Sequence, residues 1–212
     1  MIWNPAKKPT REEIEAHLLR RKERDELFHR FGIDRENMVR FVVDAAEPLE
    51  EPLLDIGTGK GHTAVELARR GVRVTTIDVS EKELIAAYMH AAAEGVENSI
   101  DFHLSDGLSL PFEDGSFRLV TVVNVIHHLD DPYSVFPEIS RVIADGGRLI
   151  LTDFTEKGFE LMEKAHDTNG EPHPRLHGVT VDTVADRLGR FGLQCRERDS
   201  RFHQYVVIAI KK

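Results

Sequence analysis

The chain has 212 residues, 41% of them hydrophobic, with a formal net charge of -9 and a pI near 5.7. That length supports one domain with a sizeable core, and the acidic balance disfavours a polyanionic partner, because nucleic-acid affinity rests largely on Lys and Arg. The lone cysteine, Cys195, excludes an intrachain disulfide framework, a cysteine-built zinc site and any acceptor chemistry needing several thiols. A reducing cytoplasmic compartment is the expectation, and no run approaches the roughly 18 apolar residues of a membrane span.

In chain order, Thr10-x-x-Glu13 is a capping box opening a charged helix over 10–30. Its narrow apolar stripe is Ile14, Leu18 and either Leu27 or Phe28. A second helix over 34–46 carries Met38, Phe41 and Val42 on one face. Residues 1–47 thus read as a helical extension, with three alternatives for its first helix: a solvated helix lying on the domain, a lid, or a homodimer contact. Pro48 and Pro52 bracket the entry to a strand at 53–56. Alternation follows: helix 61–70, strand 72–78, helix 81–94 behind the capping box Ser80-x-x-Glu83, strands 100–104 and 118–125, helix 132–143 and strand 147–153. Alternating strands and helices imply a mostly parallel sheet covered on both faces, a doubly wound α/β fold. Residues 154–179 interrupt the pattern as a turn-rich loop insertion, helical at about 160–166. A helix at 180–190 and two strands, 193–199 and 202–210, pairing as a hairpin, close the domain of residues 48–212.

The central motif is Leu53-Leu54-Asp55-Ile56-Gly57-Thr58-Gly59-Lys60-Gly61, followed by an acid, Asp78, at the end of the next strand. A strand, a glycine-rich turn and a helix open a nucleotide-type pocket at the carboxyl end of the sheet. Asp78 lies where a carboxylate can take two ribose hydroxyls. The dinucleotide fingerprint G-x-G-x-x-G is not met, because its third glycine position is His62. A phosphate-binding P-loop is not met either, since it needs a hydroxyl residue where Gly61 stands.

The G-x-G-x-G form resembles motif I of the class I S-adenosylmethionine (SAM) dependent methyltransferases. Further segments resemble that family in order over about 50–154: Val72 to Ser80, Phe102 to Phe112, Phe117 to Leu129, and Arg141 to Leu151 with its paired glycines. Arg118 departs from the acid many members carry there, and it reads as an outward-facing residue. The resemblance is to the small-molecule, ubiquinone/menaquinone-methyltransferase-like type 11 branch. It implies a Rossmann-like sheet of about seven strands, mostly parallel, with an antiparallel last strand at Tyr205 to Ile210. It also implies SAM as cofactor and S-adenosylhomocysteine (SAH) as product. By the same resemblance Asp55 helps hold the methionine amino end beside Gly57, Thr58, Gly59 and Gly61. Asp78 takes the ribose, Val79 packs on the adenine, Asp106 with Gly107 meets the adenine amine, and Asn124 lines the pocket.

Candidate chemistry beyond the cofactor lies in histidines. His127 and His128 follow the fourth parallel strand, where the family brings acceptor and methyl together, and histidine is the natural base near neutrality. His166, His173 and His177 are candidate substrate contacts on the 154–179 insertion. With Asp153 or His203 they could also form a metal cluster, but Pro174 argues against a helical His-x3-His pair, and no metal is expected. Lys60 and His62 read as surface residues at a helix start. The Asn/Asp-Pro-Pro-Tyr motif of nucleobase amino methylases is missing; Asp130-Asp131-Pro132-Tyr133 has one proline only. The expected function is methyl transfer to a small-molecule acceptor. The alternatives are an RNA or protein methyltransferase and a non-catalytic SAM-binding regulatory protein.

Overall fold

The computed structural model describes residues 2, 3, 5, 8–168 and 179–212. Eight strands form one sheet in the order β1-β4-β3-β2-β5-β6-β8-β7. They are β1 (Ile2–Trp3), β2 (Leu53–Ile56), β3 (Val74–Asp78), β4 (Ile100–Leu104), β5 (Phe117–Val123), β6 (Ile143–Phe154), β7 (Leu193–Arg201) and β8 (Gln204–Lys211). From β4 to β6 every pairing is parallel. β8 runs antiparallel to both β6 and β7, so the expected antiparallel final strand and terminal hairpin are both present. The addition to the expected sheet is β1. It pairs antiparallel with β4, and Trp3 meets Phe102 edge to face at 6.3 Å between ring centroids.

Helices α1 (Arg11–Arg30), α2 (Arg35–Ala45), α3 (His62–Arg69), α4 (Glu81–Ala93), α5 (Phe136–Val142), α6 (Glu156–Thr168) and α7 (Val181–Ala185) cover the sheet. Successive strand residues alternate between its faces. Leu54, Val120 and Leu149 pack with Phe136 and Ile139 of α5 and with Val184 of α7. Leu53, Leu119 and Ile150 pack with Phe41 of α2, Leu67 of α3 and Leu84 of α4. A third apolar cluster joins Phe28 of α1, Met38 of α2 and Phe159 and Met162 of α6 above the carboxyl edge of the sheet. The capping box at Thr10 is formed in both directions, and Asp34 caps α2.

The structure differs from the sequence reading in the bounds of α5 and β6, of the 180–190 helix and of α6, and in how much of the α1 stripe is buried. β6 starts at Ile143, four residues early, because Phe117 pairs with Ile143 before a register shift at the paired glycines, and the helix before it starts only at Phe136 and ends at Val142. The expected 180–190 helix splits into α7 and a 3-10 turn at Leu188–Phe191. In place of a short helix within a loop, α6 runs over Glu156–Thr168, because Phe159, Met162 and Ala165 form a buried stripe at helical spacing. α1 buries Phe28 while Ile14 and Leu18 stay half-buried. Among the described residues no helix is long and apolar enough to cross a membrane.

Candidate functional site

The strand order reverses at β2, which lies between β3 and β5, and ligands bind at such a switch point beyond the strands' carboxyl ends. A cavity of about 550 Å³ opens there. Its floor is the glycine turn. Gly57, Gly59 and Gly61 all have positive φ, at 75°, 51° and 77°. Their reasons differ. A Cβ on Gly57 would lie 2.4 Å from Val125 Cγ2, and one on Gly61 would lie 2.9 Å from Ala87 Cβ. A Cβ on Gly59 would meet nothing within 4 Å. The first and third glycines therefore let elements pack, whereas the second leaves bare backbone at the cavity. The amides of Gly57 and Thr58 both donate to Ile77 O, at 2.9 and 3.0 Å, which ties the turn to β3.

Asp78 ends β3, and its carboxylate accepts from Gly59 N at 2.8 Å and from Ser80 N at 2.9 Å. Asp55 sits deeper, on β2, and is 1% exposed. Its register partners on the two flanking strands are Thr76 and Thr121. Their hydroxyls donate to its two oxygens at 2.9 and 2.8 Å. Burial raises the Asp55 pKa, and the threonine hydrogen bonds oppose that rise. Val79 is 71% exposed at the cavity rim, beside Asp106 and Gly107. The segment carrying Asp106 is held by Glu138, which accepts from Leu110 N at 2.7 Å, and by Arg141, which donates to the carbonyls of Leu110 and Phe112.

The opposite wall follows β5. Asn124 adopts a left-handed φ of 56°, its amide donating to Thr152 O at 3.0 Å. Gln204 donates from Nε2 to Asn124 Oδ1 and, at 3.2 Å, to Thr152 Oγ1. This glutamine is 1% exposed, lines the cavity and keeps Oε1 without a partner. Sequence reasoning missed it. A two-residue hairpin turn with both φ positive normally announces itself as Asn-Gly or a similar pair. Here it is Phe202 and His203, at 51° and 64°.

His127 and His128 lie side by side in a 3-10 turn after β5, with ring centroids 4.0 Å apart. His127 is buried. Its Nδ1 is 2.7 Å from Asp153 Oδ1, the ring nitrogen donating, and its amide donates to Asp153 Oδ2 at 3.2 Å. The sequence places Asp153 only as a candidate companion of the 154–179 histidines; its pairing with His127 was not anticipated, because nothing in its local sequence points to a histidine 26 residues earlier. His128 opens to the cavity, where burial, with His127 second, lowers its pKa to about 4. His166 on α6 also lines the cavity, 5.3 Å from the Phe28 ring between centroids. His173 and His177 lie outside the described residues. Among the described residues no three His, Cys, Asp or Glu side chains group as a metal site.

Lys60 and His62, read from sequence as surface residues, line the cavity as well. His62 is half-buried against His90, 5.5 Å away between ring centroids. Burial, then the nearby Arg35, drops its pKa well below the usual histidine value.

Comparison with known proteins identifies this arrangement. A family model described as "Methyltransferase domain" matches residues 54–151, which span the glycine turn, Asp78, Asp106 and the histidine pair. Residues 54–151 carry a methyltransferase domain similar to the class I SAM-dependent enzymes of the type 11 branch. A curated relative, 27-O-demethylrifamycin SV methyltransferase of Amycolatopsis mediterranei, is 39% identical over 103 residues, 48% of this chain and 38% of that protein. The ubiquinone/menaquinone biosynthesis C-methyltransferase UbiE of Roseobacter denitrificans is 28% identical over 164 residues, covering 76% of this chain and 60% of its own. The chain thus spans less than two thirds of the length of these relatives. The PH0226 protein of Pyrococcus horikoshii shares the fold, with a TM-score of 0.70 at 16% identity over 84% of this chain and 92% of its own.

A methyltransferase domain of this kind implies SAM as its cofactor. The residues present suit it. The cavity volume is in the range of small-molecule sites. Open backbone at Gly59 admits a close ligand, and the Asp78 carboxylate keeps acceptor capacity beyond its two amide bonds.

Proposed function

We propose that this chain transfers a methyl group from SAM to a small-molecule acceptor. The observation that carries the reading is a single cavity lined at one end by Gly59, Asp78 and Asp106 and at the other by His128 and an apolar wall. Asp78 would take the ribose hydroxyls, and Asp106 with Gly107 the adenine, over which Val79 would close. The Gly57 to Gly61 backbone, with Asp55 and its threonines fixing the turn from below, would border the methionine end. Asn124 would complete that pocket. The relatives' names specify both an oxygen and a carbon as the atom methylated, so the acceptor atom is not transferred from them.

When bound, SAM supplies a methyl on a good sulfonium leaving group. The protein's share is then alignment and proton removal. Holding a nucleophile in line is worth as much as about 7–11 kcal/mol, and a positioned base contributes about 10²–10⁴-fold. His128 is neutral at physiological pH and faces the cavity, so it is the candidate base. His127, tethered twice to Asp153, would orient it. Helices α1 and α2, with α6 and His166, would cover the acceptor end as a lid, and His173 and His177 remain candidate acceptor contacts. Calorimetry with SAM, SAH and NAD is the first test. SAM affinity in the micromolar class, about -8 kcal/mol, is expected; equal or tighter NAD binding sinks the reading. Isotope transfer from labelled SAM to a component of metabolite extracts would then identify the acceptor.

A further inference from the structure

The carboxylates lining the cavity are segregated. Asp55, Asp78, Glu83 and Asp106 all stand on β2, β3, the start of α4 or the segment after β4. Among the described residues, the wall built by α1, α2, the start of α3, the turn after β5, α6 and β8 contributes no acid. Its polar groups are Arg24, Arg35, His62, Thr63, Asn124, His128, His166 and Gln204, set among Ile33, Met38, Phe154 and Met162. For a chain of net charge -9 this is a local reversal of sign.

Arg35 is the fixed point of that wall. It opens α2, and its guanidinium lies 3.8 Å above the Phe28 ring centroid. Nη1 donates to Asp25 at 3.1 Å. Four further N–H groups remain on a planar fork suited to a carboxylate. Asp25 lines not this cavity but a neighbouring one of about 1000 Å³, between α1, α2 and α3. The two cavities share Ile33, Arg35, Val39 and His62, so Arg35 stands at their junction.

We propose that the acceptor is an organic anion, a carboxylate on an apolar skeleton, and that Arg35 binds the carboxylate while Ile33, Met38, Phe154 and Met162 hold the skeleton. The inference rests on the methyl-transfer reading. It adds that the site selects by charge: a cationic amine meets the Arg35 guanidinium and, among the described residues lining this wall, no acid, Asp25 lying on the side of the neighbouring cavity, and a neutral amide forfeits the charge-assisted hydrogen bonds. SAM also carries a carboxylate, so the same fork has two possible sources for one ligand chemistry. Arg35 also lines the neighbouring cavity, which none of the residues assigned to the cofactor does, and this favours the acceptor; the Arg35→Met arm of the test separates the two sources.

The test is calorimetric titration of the SAH-loaded protein with three probes of matched shape: cinnamate, cinnamamide and cinnamylamine. Cinnamate is expected to bind at least about tenfold tighter than either partner, the usual scale of a charge-assisted hydrogen bond, and its affinity alone should fall with added salt. Arg35→Met should erase that preference and leave SAM affinity unchanged; Arg35→Lys should keep part of it. The wild-type salt series stands even if the Arg35 variants fold poorly. Charge-blind binding, or no cinnamate binding at millimolar concentration, overturns the proposal while SAM binding keeps the methyltransferase reading intact. An equal loss of SAM affinity in Arg35→Met assigns the fork to the cofactor and also overturns it. If SAM and SAH themselves fail to bind, both readings fall.

Discussion

Asp78 Oδ2 accepts a hydrogen bond from Gly59 N at 2.8 Å, so the acid that ends β3 also holds the middle of the glycine turn that follows β2. Two stretches of chain, 19 residues apart, are thereby fixed as one surface. The same carboxylate keeps acceptor positions for a ligand's hydroxyls. Asp78→Ala should therefore weaken SAM binding by about 1.5–3 kcal/mol, the scale of a hydrogen bond to a charged group. Calorimetry on the folded variant measures this, and an unchanged affinity would remove Asp78 from the site.

The three glycines of the turn should separate by phenotype. Gly57→Ala carries a backbone cost of about 1–2 kcal/mol for the left-handed conformation and a clash with Val125 worth about 1–3 kcal/mol. Denaturant unfolding should show that loss, and Val125→Ala added to it should recover the clash portion. Gly59→Ala meets no neighbour, so its stability loss should stay near the backbone cost while SAM affinity falls, because the new methyl enters the ligand's space. The reverse ranking would mean that the open side of Gly59 is not where the ligand lies.

How far the sequence could be read depends on where the information sits. The order of β2, β3, β5 and β6, the glycine turn and Asp78 are each written in a few adjacent residues, by apolar runs, glycines and a terminal acid. The pairing of His127 with Asp153 is not, because it joins the ends of two neighbouring parallel strands and depends on their register. Gln204 was hidden for another reason. Its place is set by a hairpin turn made of Phe202 and His203, residues with no turn propensity of their own. α6 was read too short because the Asn-Gly and proline signals after Thr168 obscured the helical stripe before it. The role of His62 was missed since its burial comes from α1 and α2 folding over the start of α3.

His90 makes a stability prediction. It is 2% exposed on α4, its neutral Nδ1–H donating to Lys60 O at 3.2 Å. Burial, with Arg21 next, lowers its pKa from 6.5 to about 3. Between those values the unfolded chain binds a proton that the folded chain refuses. Stability from this group is full above pH 6.5 and declines as pH falls toward 3, by about 1.4 kcal/mol per pH unit at most. Urea unfolding across that range should show a steeper acid decline in the native protein than in His90→Gln. His17, His62, His103 and His128 are depressed in the same direction and remain in both, so the difference reports His90 together with its coupling to His62 and His17. Parallel pH profiles would show that His90 is not the group refusing the proton.

The base proposed for methyl transfer carries its own pH signature. An exposed histidine would lose base function below about 6.5. His128 has a pKa near 4 because burial, and then the adjacent His127 ring, disfavour its charged form. With an identified acceptor, kcat/KM should hold across neutral pH and fall only as pH drops through about 4. That limb reports the free enzyme's base. His128→Ala should cost about 10²–10⁴-fold in turnover with SAM affinity intact, whereas Asp153→Asn should act less directly, by loosening His127. An acid limb near 6.5, or full turnover in His128→Ala, would assign proton removal elsewhere. The first of these would point to a more exposed histidine, and the second to an acceptor that reacts as the anion it already is.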